Sequence, residues 1–334
     1  MQDDALARLD LAGPALAQAL GEERWLDVTA ELVVGGHSNL TYLLRSPAGE
    51  LILRRPPSGS ILATAHDMAR ESRVQKALGP SAVPVPEIVL EGRLDDVPYY
   101  VMTKVPGVVI RNQVPFTADG RARLGEALAD VLADLHLVDP QSVGLEDFGR
   151  PEGFTARQIR RWRKQIEATP VPAIPALDLL ASRLEQSVPP AGRASIVHGD
   201  YRLDNVIVSE EQPGRINGVL DWEMSTLGDP LTDVGMLMFY WDLASRFGVS
   251  MASSATTLPG FPSALQIAER WSSRTGIGLD RLDWYLAFAH YKFAGIVLGI
   301  QARAEAGVMA GQEFGDLGAL ASGLADAGLA GFPR

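Results

Sequence analysis

The chain has 334 residues, 46% hydrophobic and 21% charged. This supports a sizeable core, excludes disorder as the main state, and fits two domains or one large bilobal unit. A formal net charge of −11 argues against a nucleic-acid or anionic-membrane binder, which needs a basic face. With no cysteine, disulfide frameworks, thiolate metal sites and cysteine nucleophiles are excluded. The five histidines, His37, His66, His136, His198 and His290, form no close pair that suggests a metal site. The N-terminus is acidic and has no apolar leader pattern. The apolar run FAGIVLGI (293–300) is far short of the roughly 20 residues of a membrane span. A cytoplasmic protein is expected.

In chain order, residues 5–20 read as an amphipathic helix with Leu6, Leu9, Leu16 and Leu20 on its apolar side. ELVVGG (31–36), NLTYLLRS (39–46) and LILRR (51–55) read as strands, the last ending at Pro56-Pro57. A helix over 61–78 follows, then two strands around the acidic turn Asp95-Asp96. Beyond Pro106-Gly107 the pattern turns helical. Leu124, Leu128, Val131, Leu132 and Leu135 make a stripe over 118–138. A basic helix is expected over 154–168, another over 176–187, then short strands at ASIVHGD, NVIVS and INGVLDW, and helices from Thr232 onward. The Gly/Ala-rich tail 306–334 is weakly patterned and is expected to pack loosely.

The segment VHGDYRLDNVIVSEEQPGRINGVLDWEMSTLGDPLTD (197–233) carries the chemistry. Asp200 and Asn205 lie five positions apart after a strand, and Asp221 follows at the end of another. Phosphoryl transfer needs such a set. One carboxylate orients the attacking hydroxyl, and a carboxylate and an amide oxygen hold Mg²⁺ against the phosphates. The order H-x-D-x-x-x-x-N, apolar strand, Asp is the protein-kinase layout, with DWE in place of D-F-G.

HGDYRLDN and LDWE resemble the aminoglycoside phosphotransferase and choline kinase superfamily. GGHSNLTY, LILRRPP, RQIRRW, VLDWEMSTLGDPLTD and GIQARAEAG are similar to one branch, the kinase-like domains found alone in bacteria or fused to acyl-CoA dehydrogenases in animals. The resemblance covers about residues 25–307. It implies an α+β, bilobal protein-kinase-like fold, with a small antiparallel β lobe over ATP (1–105) and a larger, mainly helical lobe (106–334). It implies that Asp200 is the catalytic aspartate and that Asn205 and Asp221 are Mg²⁺ ligands. His198 would support the catalytic loop, and Asp229 and Asp233 would brace it.

In the small lobe, Gly36, Ser38 and Asn39 of GGHSNLTY sit where a phosphate-approaching hairpin is expected. Strand alternation puts Ile52 and Arg54 on one face. Ile52 can pack on adenine while Arg54 reaches the phosphates; Arg55 is the rival for that contact, on the opposite face. Glu71 fits the partner glutamate of Arg54, or a solvated helix carboxylate. Met102, Thr103, Lys104 and Val105 fit the hinge whose backbone meets adenine.

Arg157, Arg160, Arg161 and Lys164 recur at three- and four-residue spacings, so they largely share a helix face. Either this is a solvated face, or Arg157 and Arg161 bind an anionic acceptor. Glu223, Tyr240 and Trp241 are further acceptor-pocket candidates. The expected function is ATP- and Mg²⁺-dependent phosphorylation of a hydroxyl on a small molecule, with a hydroxy acid or hydroxyacyl-CoA favoured. An aminoglycoside or amino-alcohol kinase and a nucleotide-binding pseudokinase are the alternatives. No nucleic-acid or membrane partner is expected, and the sequence leaves the oligomeric state open.

Overall fold

The structure is a computed structural model that describes residues 7–33, 39–57, 68–111, 113–248, 253–305 and 315–332. The chain forms two compact units. The first comprises residues 1–108, 205–211 and 216–225, and the second 109–204, 212–215 and 226–334. The chain thus passes from one unit to the other between Asp204 and Asn205, inside the motif segment. A single cut after residue 105 does not describe this division.

The first unit is built on an antiparallel sheet of order β1-β2-β3-β5-β4. Its strands are β1 (Thr29–Leu32), β2 (Leu40–Ser46), β3 (Gly49–Arg55), β4 (Ile88–Leu94) and β5 (Val97–Thr103). Alternation divides the side chains cleanly. Leu51, Leu53, Tyr99 and Val101 join a core with Leu16 of helix α1 (Leu9–Leu20). Tyr100 and Met102 face the other way, with Ile52 and with Met68 of helix α2 (Met68–Leu78). Asp95 and Asp96, both at positive φ, turn β4 into β5, the backbone of a two-residue hairpin matched to strand twist. A further antiparallel pair, β7 (Val206–Val208) and β8 (Ile216–Val219), belongs to this unit.

The second unit is mainly helical: α3 (Ala118–Leu137), α4 (Phe154–Glu167), α5 (Pro175–Gln186), α6 (Leu231–Phe247), α7 (Ala264–Thr275), α8 (Leu282–Glu305) and α9 (Leu317–Ala330). A small antiparallel pair, β6 (Ser195–Val197) with β9 (Thr226–Gly228), lies among them. Helix α8 is packed by α4, α5, α6 and α9. Its first four turns are buried on nearly every side, which explains an apolar sequence without a clear stripe.

For residues 317–330 the expectation of loose packing is overturned. Residues 317–330 form a helix whose Leu317, Ala321, Leu324 and Ala325 are buried, and Gly328 approaches the Cβ of His290 and the side chain of Leu180. Small residues here permit close helix contact rather than looseness. Strand β9 was not expected; Thr226-Leu227-Gly228 has one apolar residue and ends in glycine, whereas the equally short β6 and β7 are mainly Ile and Val. The first strand runs over 29–32 rather than 31–36. Residues 34–38 and 58–67, where part of that strand, Gly36, Ser38 and the start of the second helix were expected, lie outside the described residues.

Gly235 of α6 tests the packing. A Cβ there would lie 2.8 Å from the backbone oxygen of Tyr285 on α8. Gly235→Ala gains about 1 kcal/mol of helix propensity, but overpacking costs typically about 1–3 kcal/mol, and a backbone atom inside a buried helix cannot step aside. The expected result is a lower urea midpoint at unchanged m-value; an equal or higher midpoint contradicts this packing.

Candidate active site

In the first unit, the site grows from Arg54. It shares its face of β3 with Ile52, whose neighbours are Tyr100 and Met102. Its guanidinium lies 3.3 Å from Glu71 Oε2 and 3.4 Å from Asp221 Oδ1. Burial opposes the charge, but Glu71, Asp221 and Glu223 outweigh it and hold the group above the usual arginine range. Glu71 is fully buried, so the solvated reading fails. It also accepts hydrogen bonds from Asn39 Nδ2 at 2.8 Å and Tyr100 OH at 2.9 Å. A buried carboxylate is tolerable because it is ringed by donors. Arg55 is buried on the opposite face, where Tyr42 and Arg8 act on it and its Nε donates to the carbonyl of Pro56.

The β7–β8 ladder brings two further candidates together. Val206 pairs with Val219, and the Leu220 amide donates to the Asn205 carbonyl at 2.8 Å. Asn205 therefore lies across the ladder from the residue preceding Asp221. Asp221 has φ of 66°, a left-handed conformation that aspartate tolerates better than most. The buried Trp222 anchors the turn through Nε1 to the Val219 carbonyl at 3.0 Å. Arg70 on α2 donates to the Ser225 carbonyl at 3.1 Å, so the helix that carries Glu71 is tied to the segment after Asp221.

In the second unit, Asp233 organises the loop after β6. It sits in the first turn of α6, fully buried. Its Oδ2 accepts from the His198 amide at 2.6 Å and its Oδ1 from the Gly199 amide at 2.8 Å. His136 Nε2 lies 3.2 Å from Oδ2, and its Nδ1 accepts from Trp271 Nε1 at 3.0 Å. Because Nδ1 is the acceptor, Nε2 carries the proton and donates to Asp233. His198 Nδ1 accepts the Asp200 amide at 3.2 Å. Asp229, two residues before α6 begins, accepts from the Leu231 amide at 3.0 Å and from Tyr285 OH at 2.6 Å.

The Asp200 carboxylate is partly exposed, 22% by side chain. Tyr240 OH donates to its Oδ1 at 2.7 Å, and Arg202 Nε lies 3.5 Å from Oδ2. Burial, and then the charge of Asp200, push the Tyr240 phenol up, so it stays a donor. Arg202 also approaches Asp204 Oδ2 at 3.4 Å and lies over the Tyr240 ring. Arg202, Tyr240, Trp241, Ser253 and Thr256 line a pocket. Trp241 is buried, its Nε1 donating to the Pro262 carbonyl.

The remaining candidates are placed as follows. Met102 is buried, Thr103 bonds Glu87 through backbone and hydroxyl, Lys104 pairs with Glu50, and Val105 is half-buried. Glu223 lies in the first unit, its charge acting on Arg54. Helix α4 buries Phe154, Thr155, Ile159 and Trp162 and exposes Arg160, Arg161 and Lys164. Arg157 is instead committed to the carbonyls of Arg150 and Glu152 at the start of its own helix. Sequence reasoning missed Tyr100, Arg202 and Lys292. A lone lysine in the apolar run of α8 was the available signal for the last. Its Nζ donates to the Gly199 carbonyl at 2.6 Å.

Oxygen donors alone, one amide and one carboxylate, fit a hard cation such as Mg²⁺, which takes one or two protein ligands and completes its shell with phosphates and water. Among the described residues, no cluster of three His, Cys, Asp or Glu side chains stands ready to hold a metal by itself. No helix of the described residues is long and apolar enough to cross a membrane.

Asp233 generates a stability prediction. Burial works to raise its pKa, but the His136 hydrogen bond, the imidazoles of His136 and His198 and the Gly199 amide prevail and lower it. A lowered carboxylate contributes stability that is full above the ordinary range near 4 and is lost as pH falls through the folded-state value. Asp233→Asn should cost about 3 kcal/mol at pH 7, and the gap between wild type and variant should close on acidification. Urea midpoints from pH 7 down to 3 check this; a gap independent of pH contradicts it.

The family model of the phosphotransferase enzyme family matches residues 29–265. A solved structure of a candidate aminoglycoside phosphotransferase from Ralstonia eutropha JMP134 is 33% identical, covers 91% of this chain and 92% of that one, and superposes with a TM-score of 0.78. An aminoglycoside phosphotransferase solved with ADP and hygromycin B shares the fold at 16% identity, with 96% and 98% of the chains covered and a TM-score of 0.62. Acyl-CoA dehydrogenase family member 10 of Mus musculus is 34% identical over 280 residues, 81% of this chain and 26% of that protein. The chain spans about a quarter to two fifths of the length of the curated relatives it matches. The α+β, protein-kinase-like fold is thereby shown, and the chain belongs to the phosphotransferase enzyme family.

Proposed function

We propose that this protein transfers the γ-phosphoryl group of ATP to a hydroxyl of a small, anionic acceptor, a hydroxy acid or hydroxyacyl-CoA. The observation that carries the phosphotransfer reading is the fixed loop of Asp200. Its backbone is clamped through Asp233 and His198 while its carboxylate keeps an exposed edge. Phosphoryl transfer asks mainly for positioning and charge compensation. Asp200 would orient the acceptor hydroxyl and take its proton as the new oxygen–phosphorus bond forms and the bond to ADP breaks. Tyr240 donates to Oδ1 and Arg202 approaches Oδ2, so the hydroxyl would take up the exposed edge that these two contacts leave on the carboxylate. Asn205 and Asp221 would hold Mg²⁺, which when bound neutralises phosphate charge. Arg54, kept charged and oriented by Glu71, would meet the phosphates, with Ile52 and the Met102–Val105 stretch toward the base.

The anionic acceptor is supported by the exposed Arg160, Arg161 and Lys164 of α4, for which no ion pair is seen among the described residues. The acyl-CoA chemistry named in the curated relatives points the same way. Arg157, tied to its own loop, loses its part in this reading. An aminoglycoside acceptor is the second reading, favoured by the name of the Ralstonia relative and by Asp204 beside the pocket.

Asp200→Asn should lower kcat by roughly 10²–10⁴-fold with the Kd for MgATP unchanged; near-wild-type turnover ends the mechanism. Asp221→Ala should lose the preference for MgATP over metal-free ATP in calorimetry, and retention removes Asp221 as the ligand. In a panel of hydroxy acids, hydroxyacyl-CoAs, aminoglycosides and amino alcohols, Arg161→Ala should raise the KM of an anionic acceptor about fivefold, the modest value of a solvent-screened arginine. Turnover confined to the cationic compounds selects the second reading.

A further inference from the structure

We infer that Lys292 is a positioning residue for Asp200, an assignment that rests on the phosphotransfer reading above. Lys292 is 5% exposed on α8, between Tyr291 and Phe293, both buried. An ammonium is costly there unless it is paired. Methionine or leucine would fill the same space at lower cost, so the charge and the donor call for a reason.

The reason lies in one peptide group. The carbonyl of Gly199 and the amide of Asp200 belong to the same peptide plane. Lys292 Nζ donates to that carbonyl at 2.6 Å, and the amide donates to His198 Nδ1 at 3.2 Å. Gly199 has φ of 85°, a conformation open to glycine, whose flanking peptides otherwise rotate with little hindrance. Asp233 fixes the preceding peptide through the Gly199 amide. It does not fix the next one. Lys292 and His198 close that freedom from opposite ends of the plane, and the plane sets the direction in which the Asp200 side chain leaves the backbone.

The ammonium has acidic neighbours. Asp200 on the loop and Asp233 in the first turn of α6 bring two carboxylates to the same loop. Burial lowers the Lys292 pKa, while both carboxylates favour its ammonium form. The Trp162 ring lies 5.9 Å from Nζ and closes the other side. The two carboxylates thus favour the charged form of Lys292, the form that donates to the Gly199 carbonyl.

The test uses the full chain and three variants. Lys292→Met removes donor and charge, Lys292→Gln is polar but too short for the Gly199 carbonyl, and Lys292→Arg keeps both features. Turnover is read with the best acceptor of the panel, or as slow MgATP hydrolysis with water as acceptor. Amide hydrogen exchange of residues 198–205 is read in parallel. Lys292→Met and Lys292→Gln should lose roughly tenfold or more in kcat, as small misplacements do, with the KM for MgATP nearly unchanged and faster exchange at the Asp200 amide. Lys292→Arg should recover part of both. If Lys292→Met fails to fold, Lys292→Gln decides by the same readouts. A folded Met or Gln variant with wild-type kcat and wild-type exchange overturns the assignment. A wild type that neither transfers nor hydrolyses overturns the phosphotransfer reading instead, and the exchange arm still decides whether Lys292 orders the peptide.

Discussion

A single buried carboxylate, Asp233, holds the structure on which the proposed chemistry depends. It offers two oxygens to two consecutive backbone amides, at 2.6 and 2.8 Å, and stands at a helix start, where negative charge is favourable. The third donor, His136, is itself locked by Trp271. A chain therefore runs from α7 through α3 and α6 to the loop, each member satisfied by the next. Such a network is rigid because every alternative leaves a buried polar group unpaired. Rigidity is what a phosphotransferase requires of a residue whose task is to orient a hydroxyl.

The first unit solves a similar problem with a different device. Arg54 must stay charged and extended inside a largely apolar unit. Glu71 supplies the counter-charge, and Asn39 and Tyr100 fix Glu71 in turn. Three donors on one carboxylate leave it few alternative positions, and Arg70's bond to Ser225 ties the same helix to the turn after Asp221. Asn39 thus serves the glutamate, whereas its sequence position suggested phosphate contact alone. Gly36 and Ser38, proposed with it, lie outside the described residues.

What the sequence revealed follows from the physics of each feature. Arg54 and Glu71 were legible because strand alternation and a following helix leave few partners. Asp200, Asn205 and Asp221 stood out because three oxygen donors occur in that order around short apolar strands, a set that phosphate chemistry would use. Strand β9 was hidden because Thr226-Leu227-Gly228 lacks the β-branched run of the equally short β6 and β7, and helix α9 by an alanine- and glycine-rich sequence whose burial depends on close approach rather than on large side chains. Lys292 was hidden because periodicity registers an isolated lysine as noise; only the fold shows which carbonyl it meets. Arg157 looked like its neighbours on α4, and nothing in spacing could show that the preceding loop would claim its guanidinium.

On this acidic chain, at −11, the exposed side of α4 carries Arg160, Arg161 and Lys164. The central claim, that the γ-phosphoryl group of ATP ends on the hydroxyl of a small molecule, has a direct measurement. ³¹P NMR can follow MgATP with the purified protein and the panel of hydroxyl compounds. The account predicts loss of the γ-phosphate signal and growth of a phosphate-monoester signal coupled to the acceptor's carbon-bound proton. Persistence of ATP, or inorganic phosphate as the sole product with every compound, would contradict it.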